Sequence, residues 1–188
     1  HGDLDQKDRD KTLIRFAHGS INVLVATDVA ARGIDIAAVE LIVNYHISRD
    51  SEVHTHRIGR TGRAGDSGLA CSLYSEKEHY KVSQLFEAMG ETINASTLPP
   101  MSVLDKPVLK PKMVSLQING GKKQKLRPGD IVGGLTADGG IQGDDIGKIT
   151  VQSMWSYVAV KASVKKAALA QLSSGKLKGR SFKVRELN

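Results

Sequence analysis

The octapeptide HRIGRTGR, residues 56–63, decides the fold of this chain together with the apolar run VLVAT, residues 23–27. The octapeptide places three arginines and a histidine within eight residues, spaced by Gly59 and Gly62. Arginine offers a permanently charged planar fork that matches phosphate oxygens, and glycine lets the backbone approach a ligand closely. We therefore predict a contact with a triphosphate or a nucleic-acid backbone. The alternative interpretation is a solvated basic helix end.

The run VLVAT predicts a buried strand with a ligand site at its end. It is followed by Asp28 and then by AARGID at residues 30–35. Ligands of open α/β sheets bind just beyond the carboxyl ends of the strands, where Thr27, Arg32 and Asp35 fall. The two segments thus predict one α/β domain with a phosphate-binding site.

The first 94 residues alternate between helical and strand patterns, which predicts a parallel sheet covered by helices. The predicted elements are helix 5–17, strand 22–27, strand 39–45, helix 51–59, strand 68–74 and helix 76–89. Ser51 and Glu52 resemble a capped helix start, and Gly90 should close the last helix.

Residues 95–112 hold four of the five prolines and predict a linker. Beyond it, residues 113–188 predict a ferredoxin-like α+β domain of the RRM type, with strand, helix, strand, strand, helix and strand in that order. The predicted elements are 113–119, 128–136, 146–152, 155–162, 164–173 and 181–187.

Charge is divided unevenly along the chain. Residues 1–110 hold 13 Lys and Arg against 15 Asp and Glu, whereas residues 111–188 hold 14 against 5. A small domain with that basic excess attracts polyanions, of which nucleic acid is the usual one. The single cysteine, Cys71, lies in an apolar alternation and is expected to be a small buried side chain. A lone cysteine also indicates a protein of a reducing compartment. With neither a signal peptide nor a membrane-length apolar run, we expect a cytoplasmic protein.

The patterns T-D-x-A-A-R-G-x-D and H-R-I-G-R-T-G-R resemble motifs V and VI of the DEAD-box RNA helicases, and Gln6 with Arg9 resembles motif IVa. The resemblance implies a RecA-like helicase lobe that uses ATP with Mg²⁺. It implies that Arg63 is the arginine finger, Arg60 its phosphate-binding neighbour and His56 a residue that couples two lobes.

The same resemblance implies that Asp35, just after Gly33, binds the ATP ribose. A helix-capping carboxylate is the alternative for Asp35. Contacts to the RNA sugar-phosphate backbone are implied for residues Gly2, Gln6, Arg9 and Thr27. Arg9 could equally be a surface charge paired with Asp5 or Asp8.

In this family the Walker A lysine, the Asp-Glu-Ala-Asp box and the Mg²⁺ ligands lie in a first lobe, and the second lobe begins with further strands. We therefore expect the chain to be a fragment that starts within its second lobe and does not hydrolyse ATP alone. Its exposed apolar edge should promote self-association or partial instability.

Period-two alternation orients the strands of the second domain. If Val114, Leu116 and Ile118 face the core, Gln117 and Asn119 face outward. The same alternation puts further residues on that outer face, namely Lys148, Thr150, Trp155, Tyr157, Lys183 and Arg185. Two aromatic rings among cations predict a base-stacking surface, with completion of a core by the two rings as the alternative.

Two glycine-containing loops add lysines and arginines to this domain. Their cations are Lys122, Lys123 and Lys125 in the first loop and Lys176, Lys178 and Arg180 in the second. Glycines beside lysines let several cations meet one phosphate backbone, although each loop could be only a solvated turn.

The basic domain contains the segments INGGKK at 118–123 and DIGKI at 145–149. A helicase lobe followed by such a domain resembles a bacterial DEAD-box subfamily with an RRM-like C-terminal domain. The resemblance implies binding to a hairpin of large-subunit ribosomal RNA and duplex unwinding on the pre-ribosomal large subunit during ribosome assembly. The alternatives are a general RNA chaperone with no preferred site and a non-catalytic RNA-binding protein with a vestigial lobe.

Overall fold

The computed structural model describes residues 3–28, 39–48, 50–62, 67–137 and 140–187. By compactness the chain divides into two units. The first unit comprises His1–Gly2 and Ala26–Pro107, and the second comprises Asp3–Val25 and Val108–Asn188. The predicted domains, 1–94 and 113–188, divide the chain differently, because residues 3–25 join the second unit. We call residues 3–25 the α1 segment.

In the first unit, two parallel strands and two helices carry the predicted α/β pattern. Strand β1 (Leu41–Asn44) pairs in parallel with β2 (Leu69–Ser72). Helix α2 spans Ser51–Ile58, and helix α3 spans His79–Met89 after a 3₁₀ turn at Glu76–Glu78. Helix α3 ends at Gly90 with φ of 69°, as predicted from the glycine.

Two predictions for residues 1–94 are wrong. Residues 23–27 form no strand, and Val23 and Val25 are 74% and 89% exposed. A strand needs a hydrogen-bonding neighbour, and β1 and β2 pair only with each other among the described strands. Cys71 is exposed rather than buried, since it shares one sheet face with exposed Leu41, Val43 and Leu69.

The start of α2 also differs from the prediction. Its N-cap is Asp50, whose carboxylate accepts a hydrogen bond from the backbone N–H of Glu52 at 2.8 Å, so Ser51 is the first helical residue. Aspartate is a strong N-cap because its oxygen reaches an N–H that has no partner within the helix.

The second unit has the predicted β-α-β-β-α-β order, preceded by helix α1 (Gln6–Ala17). Its elements are β3 (Met113–Ile118), α4 (Pro128–Thr136), β4 (Ile146–Val151), β5 (Ser156–Lys161), α5 (Lys165–Ser174) and β6 (Val184–Glu186). The strands form one antiparallel sheet in the order β4-β5-β3-β6. Pro128 stands at the first turn of α4 as predicted.

One sheet face packs on α4 and α5 to form the core of this unit. Leu116 and Ile118 of β3 are fully buried there, as the alternation predicts, with Ile131 of α4 and Leu172 of α5. Gly134 lies on the inner side of α4, where an added Cβ would clash with the Leu177 side chain. Glycine inside this helix therefore permits close packing, which offsets its low helix propensity.

Candidate nucleic-acid interface

The octapeptide begins on α2 and continues into the turn that follows. His56 is exposed on α2, and Arg60 is half-buried in the turn after Gly59. Gly62 has φ of 62°, a conformation that favours glycine. An imidazole and a guanidinium beside a glycine turn are chemically suited to an anionic ligand. The predicted site residues Gly2, Gly33, Asp35 and Arg63 lie outside the described residues.

Arg57 is a structural arginine, a role that the sequence pattern did not predict. Its guanidinium donates to both carboxylate oxygens of Asp28, from Nε at 2.6 Å and from Nη2 at 2.8 Å. Its Nη1 donates to the carbonyl of His46 at 2.8 Å. Hydrogen bonding to Asp28 raises the pKa of Arg57. Arg57 thus ties Asp28, the residue after VLVAT, to α2. The density of arginines in the octapeptide does not distinguish Arg57 from the other two.

Close backbone approach also shapes the end of the octapeptide. The Thr61 hydroxyl donates to the carbonyl of Val39. A Cβ added at Gly68 would clash with the side chain of Thr61 and with the backbone of Gly62. The turn that follows Arg60 is therefore held between the chain before β1 and the chain before β2.

The predicted RNA-backbone residues divide between the two units. Gln6 and Arg9 lie on α1 in the second unit, whereas Thr27 is exposed in the first. The Gln6 side-chain amide donates to the carboxylate of Asp10 at 2.8 Å. Helix α1 is capped by Asp5, which accepts from the backbone N–H of Asp8 at 2.8 Å.

In the second unit, the two basic loops meet at a depression of about 410 Å³. We call its cations, Lys122, Lys125, Arg127 and Lys178, the basic cluster. The ammonium group of Lys178 donates to the carbonyl of Lys125 at 2.9 Å and lies 3.7 Å from a carboxylate oxygen of Asp130. The two loops, about fifty residues apart in sequence, thus form one positively charged surface.

Both lysines at the centre of this cluster hold an unusual backbone conformation. Lys125 has φ of 59° and Lys178 has φ of 53°, and they are the two non-glycine residues with positive φ in the described part of the chain. Residues other than glycine, asparagine and aspartate enter this region at a cost of about 1–2 kcal/mol. The turn at Lys178 and Gly179 is closed by hydrogen bonds between Leu177 and Arg180. Lysine therefore occupies two positions that glycine would fill with less strain.

The remaining predicted cations are all exposed on the same unit. They are Lys123, Lys148, Lys176, Arg180, Lys183 and Arg185. Arg185 of β6 also donates to the side-chain oxygen of Gln117 at 3.1 Å, which orients it along the sheet.

The sheet face opposite the core, which we call the outer face, is covered by the α1 segment. Ser115, Gln117, Tyr157 and Ala159 point to this face and are 0–4% exposed. Tyr157 packs with Ile14 and Leu187, and half-buried Trp155 packs against these three. Burial raises the pKa of the Tyr157 phenol. The Tyr157 ring, which was predicted to stack on a base, is thus packed against other side chains of the protein.

His18 is a functional candidate that no sequence pattern predicted, and it anchors the α1 segment. It is 4% exposed, and its Nε2 lies 3.0 Å from the hydroxyl oxygen of Thr150. Burial, and secondarily the charge of Lys148, lower the pKa of His18 from 6.5 to about 4. No sequence signal marks this histidine, because the surrounding Thr150 and Lys148 are more than 100 residues away.

The part of the chain that the structure describes supports neither a metal site nor a membrane-spanning helix. There, no group of three His, Cys, Asp or Glu side chains could hold a metal ion. No helix among those residues is both long and apolar enough to cross a membrane.

Comparison with known proteins gives two family matches in chain order. Residues 1–65 match the helicase conserved C-terminal domain, and residues 115–186 match the DbpA RNA binding domain. The first match contains the octapeptide and the second contains the basic cluster.

Two curated relatives align with the whole chain. The ATP-dependent RNA helicase DbpA of Escherichia coli is 51% identical over 100% of this chain and 40% of its own length. The protein of the same name from Bacillus subtilis is 35% identical over 100% of this chain and 43% of its own length. A solved structure of the E. coli DEAD-box protein SrmB is 41% identical, covers 52% of this chain and 57% of its own, and has a TM-score of 0.49.

The two matched domains stand in the order of a helicase C-terminal domain followed by an RNA-binding domain. Over its whole length the chain is similar to the two DbpA helicases, and it spans about two fifths of the length of these relatives.

Proposed function

We propose that this chain is the RNA-engaging part of an ATP-dependent RNA helicase and that its second unit anchors the enzyme to RNA. The observation that carries the proposal is the basic cluster, in which two lysines at positive φ join two distant loops around one depression. Backbone strain that the fold tolerates at a polar surface commonly has a functional cause. Four cations around one depression suit the closely spaced phosphates of folded RNA.

The cluster also has the features of a binding surface that fixes position. The Lys178 ammonium group is oriented by the Lys125 carbonyl, and Asp130 holds the backbone of Arg127, whose N–H it accepts at 2.8 Å. Pre-oriented cations lose less side-chain freedom when they meet phosphate. Contacts of this kind fix the position of a duplex or hairpin, while discrimination between hairpins requires further contacts to base edges.

For the first unit we propose a role in ATP turnover, with ATP and Mg²⁺ as cofactors of the complete enzyme. Arg60 and His56, presented beside a glycine turn, fit a polyphosphate. By family resemblance Arg63 meets the charge that develops on the terminal phosphate, and Asp35 with Gly33 receives the ribose. The Arg57–Asp28 pair would position the two motifs relative to each other, since it joins them directly.

The target we propose is a hairpin of large-subunit ribosomal RNA, so that unwinding takes place during assembly of the large ribosomal subunit. The family resemblance drawn from the sequence favours this choice over a general RNA chaperone. Anchoring by the second unit would raise the local concentration of duplex at the helicase lobes.

Binding to a ribosomal hairpin and to a scrambled hairpin across a salt titration tests the proposal. We expect selective binding that persists at moderate salt. Replacing Lys122 and Lys178 by alanine should reduce the slope of log affinity against log salt by about two. The matched control is Lys166→Ala on α5, an exposed lysine outside the cluster. An unchanged slope in the double variant would contradict anchoring by the cluster, and equal binding of both hairpins would favour the general chaperone.

We further propose that the chain self-associates through the exposed face of the β1–β2 sheet. Leu41, Val43 and Leu69 are 48–59% exposed, and the strand register places them on one face with Cys71. Parallel sheets are normally covered on both faces, so this apolar surface favours a partner copy. Sedimentation velocity should show a dimer that Val43→Lys dissociates. A concentration-independent monomer would contradict the proposal.

A further inference from the structure

The α1 segment is held on the outer face by a small apolar contact. Ile14, Tyr157 and Leu187 are its buried residues, with Trp155 beside them. Eleven buried hydrophobic residues build the core on the opposite sheet face. Stabilisation by apolar burial scales with area, so the α1 segment is attached much more weakly than the sheet is folded.

Polar pairs complete this attachment. The Ser20 and Ser115 hydroxyl oxygens lie 2.8 Å apart, and the His18 imidazole pairs with Thr150. Asn22 donates to the carbonyl of Leu109 at 2.7 Å. Hydrogen bonds between neutral groups contribute little net stability, because water replaces them when the groups separate. These polar pairs therefore fix where the α1 segment lies on the sheet, but they add little to the free energy that holds it there.

The residues beneath the α1 segment have the chemistry of a surface for single-stranded RNA. Tyr157 offers a ring for stacking, and Gln117 beside it offers an amide for hydrogen bonds to base edges. The guanidinium of Arg185 reaches Gln117, and Lys148 is exposed next to the face. The ring and the amide are inaccessible while the α1 segment is in place.

We propose that the α1 segment is a displaceable, autoinhibitory cover, and that single-stranded RNA competes with it for the outer face. The inference rests on the proposed RNA-binding function, but it concerns a different surface. The basic cluster is exposed while the α1 segment is in place, so structured RNA can be held before the outer face opens. Displacement of α1 would add a second, single-stranded contact to an RNA that is already anchored.

The serine pair provides a direct test. Replacing Ser20 and Ser115 by cysteine puts two thiols where the hydroxyl oxygens are 2.8 Å apart, which is close enough for a disulfide after small adjustments. The exposed native Cys71 is changed to serine in every protein, so the engineered pair is the only one that can form. Binding of the complete chain to a labelled oligouridine is measured with the pair oxidised and with it reduced.

We expect the oxidised protein to bind oligouridine about tenfold more weakly than the reduced protein, which is the effect of losing one stacked base. Ile14→Ser, which weakens the apolar contact, should bind it severalfold more tightly than the parent. The Cys71→Ser protein carrying only Ser20→Cys is the matched control and should not respond to oxidation.

Equal oligouridine binding by the oxidised and reduced forms would overturn the proposal. Failure of the two thiols to join, in a protein whose Trp155 emission is unchanged, would overturn it as well, because the segment would not be seated as described. Hairpin binding, measured on the same samples, separates this result from the proposed function. Loss of salt-dependent hairpin binding on changing Lys122 and Lys178 tests the basic cluster irrespective of the disulfide.

Discussion

Acidification should loosen the second unit through one histidine. His18 of the α1 segment is neutral and buried against the outer face, with a pKa lowered from 6.5 to about 4, first by burial and then by Lys148. Since the unfolded chain takes up the proton at higher pH than the folded chain, protonation favours unfolding. The stability contributed by neutral His18 is therefore fully present above about pH 6.5 and is lost as the pH falls toward 4.

The two pKa values give the size of the effect. Between about pH 7.5 and pH 5 the free energy of unfolding should fall by up to about 2 kcal/mol, and by up to about 3 kcal/mol at pH 4, because the loss cannot exceed the free energy that holds the α1 segment in place. Thr150, the hydrogen-bond partner of His18, does not titrate, so it contributes no pH dependence of its own to the free energy of unfolding. Carboxylates elsewhere titrate over the same range, which makes a matched variant necessary.

Urea unfolding followed by tryptophan emission is the assay. Trp155 is the only tryptophan, and it packs against the cluster of Ile14, Tyr157 and Leu187, so it reports on this unit. His18→Gln keeps a polar side chain without the titration, and the difference between the two proteins isolates His18. An identical pH dependence in the parent and in His18→Gln would refute the reasoning.

Four further results are expected. Tyr157→Ala should lower the free energy of unfolding of the second unit by up to about 3 kcal/mol, measured by Trp155 emission, whereas Tyr157→Phe should change it little; equal losses in the two variants would show that the hydroxyl provides the stabilisation. Lys125→Gly should raise the free energy of unfolding by about 1 kcal/mol, because glycine adopts positive φ without strain, and it should weaken hairpin binding; a variant that is less stable as well as weaker in binding would show that Lys125 is not strained. Arg57→Ala should destabilise the first unit by about 1 kcal/mol in chemical unfolding, and adding Asp28→Asn should cost little more; additive losses would mean that the two side chains act independently. In the complete enzyme, Arg63→Ala should abolish RNA-stimulated ATP turnover while sparing ATP binding, and near-normal turnover would contradict its assignment as the arginine finger.

The second unit was the more predictable part of the fold. Its six elements alternate at clear periods, and Leu116 and Ile118 reach the core face that the alternation predicts. Local patterns suffice here because each strand finds its partner within the same unit. The basic loops were predictable for the same reason, since glycine beside lysine is a local signal.

Other features could not be read from local pattern. VLVAT has strand composition, yet whether it forms a strand depends on a neighbour that pairs with it. Arg57 and Arg60 lie in one octapeptide, and only the position of Asp28 makes Arg57 a tether. Tyr157 has an outward register, and only the α1 segment makes it a buried residue.

The sequence by itself determined the class of this protein, because the helicase segments and the basic α+β domain are contiguous and carry their chemistry in local residue order. The tertiary structure alone decided that Lys125 and Lys178 share one depression, that His18 is neutral and that the outer face is covered. These properties arise between residues more than fifty positions apart. Burial and charge depend on what lies nearby in space, which chain order does not specify.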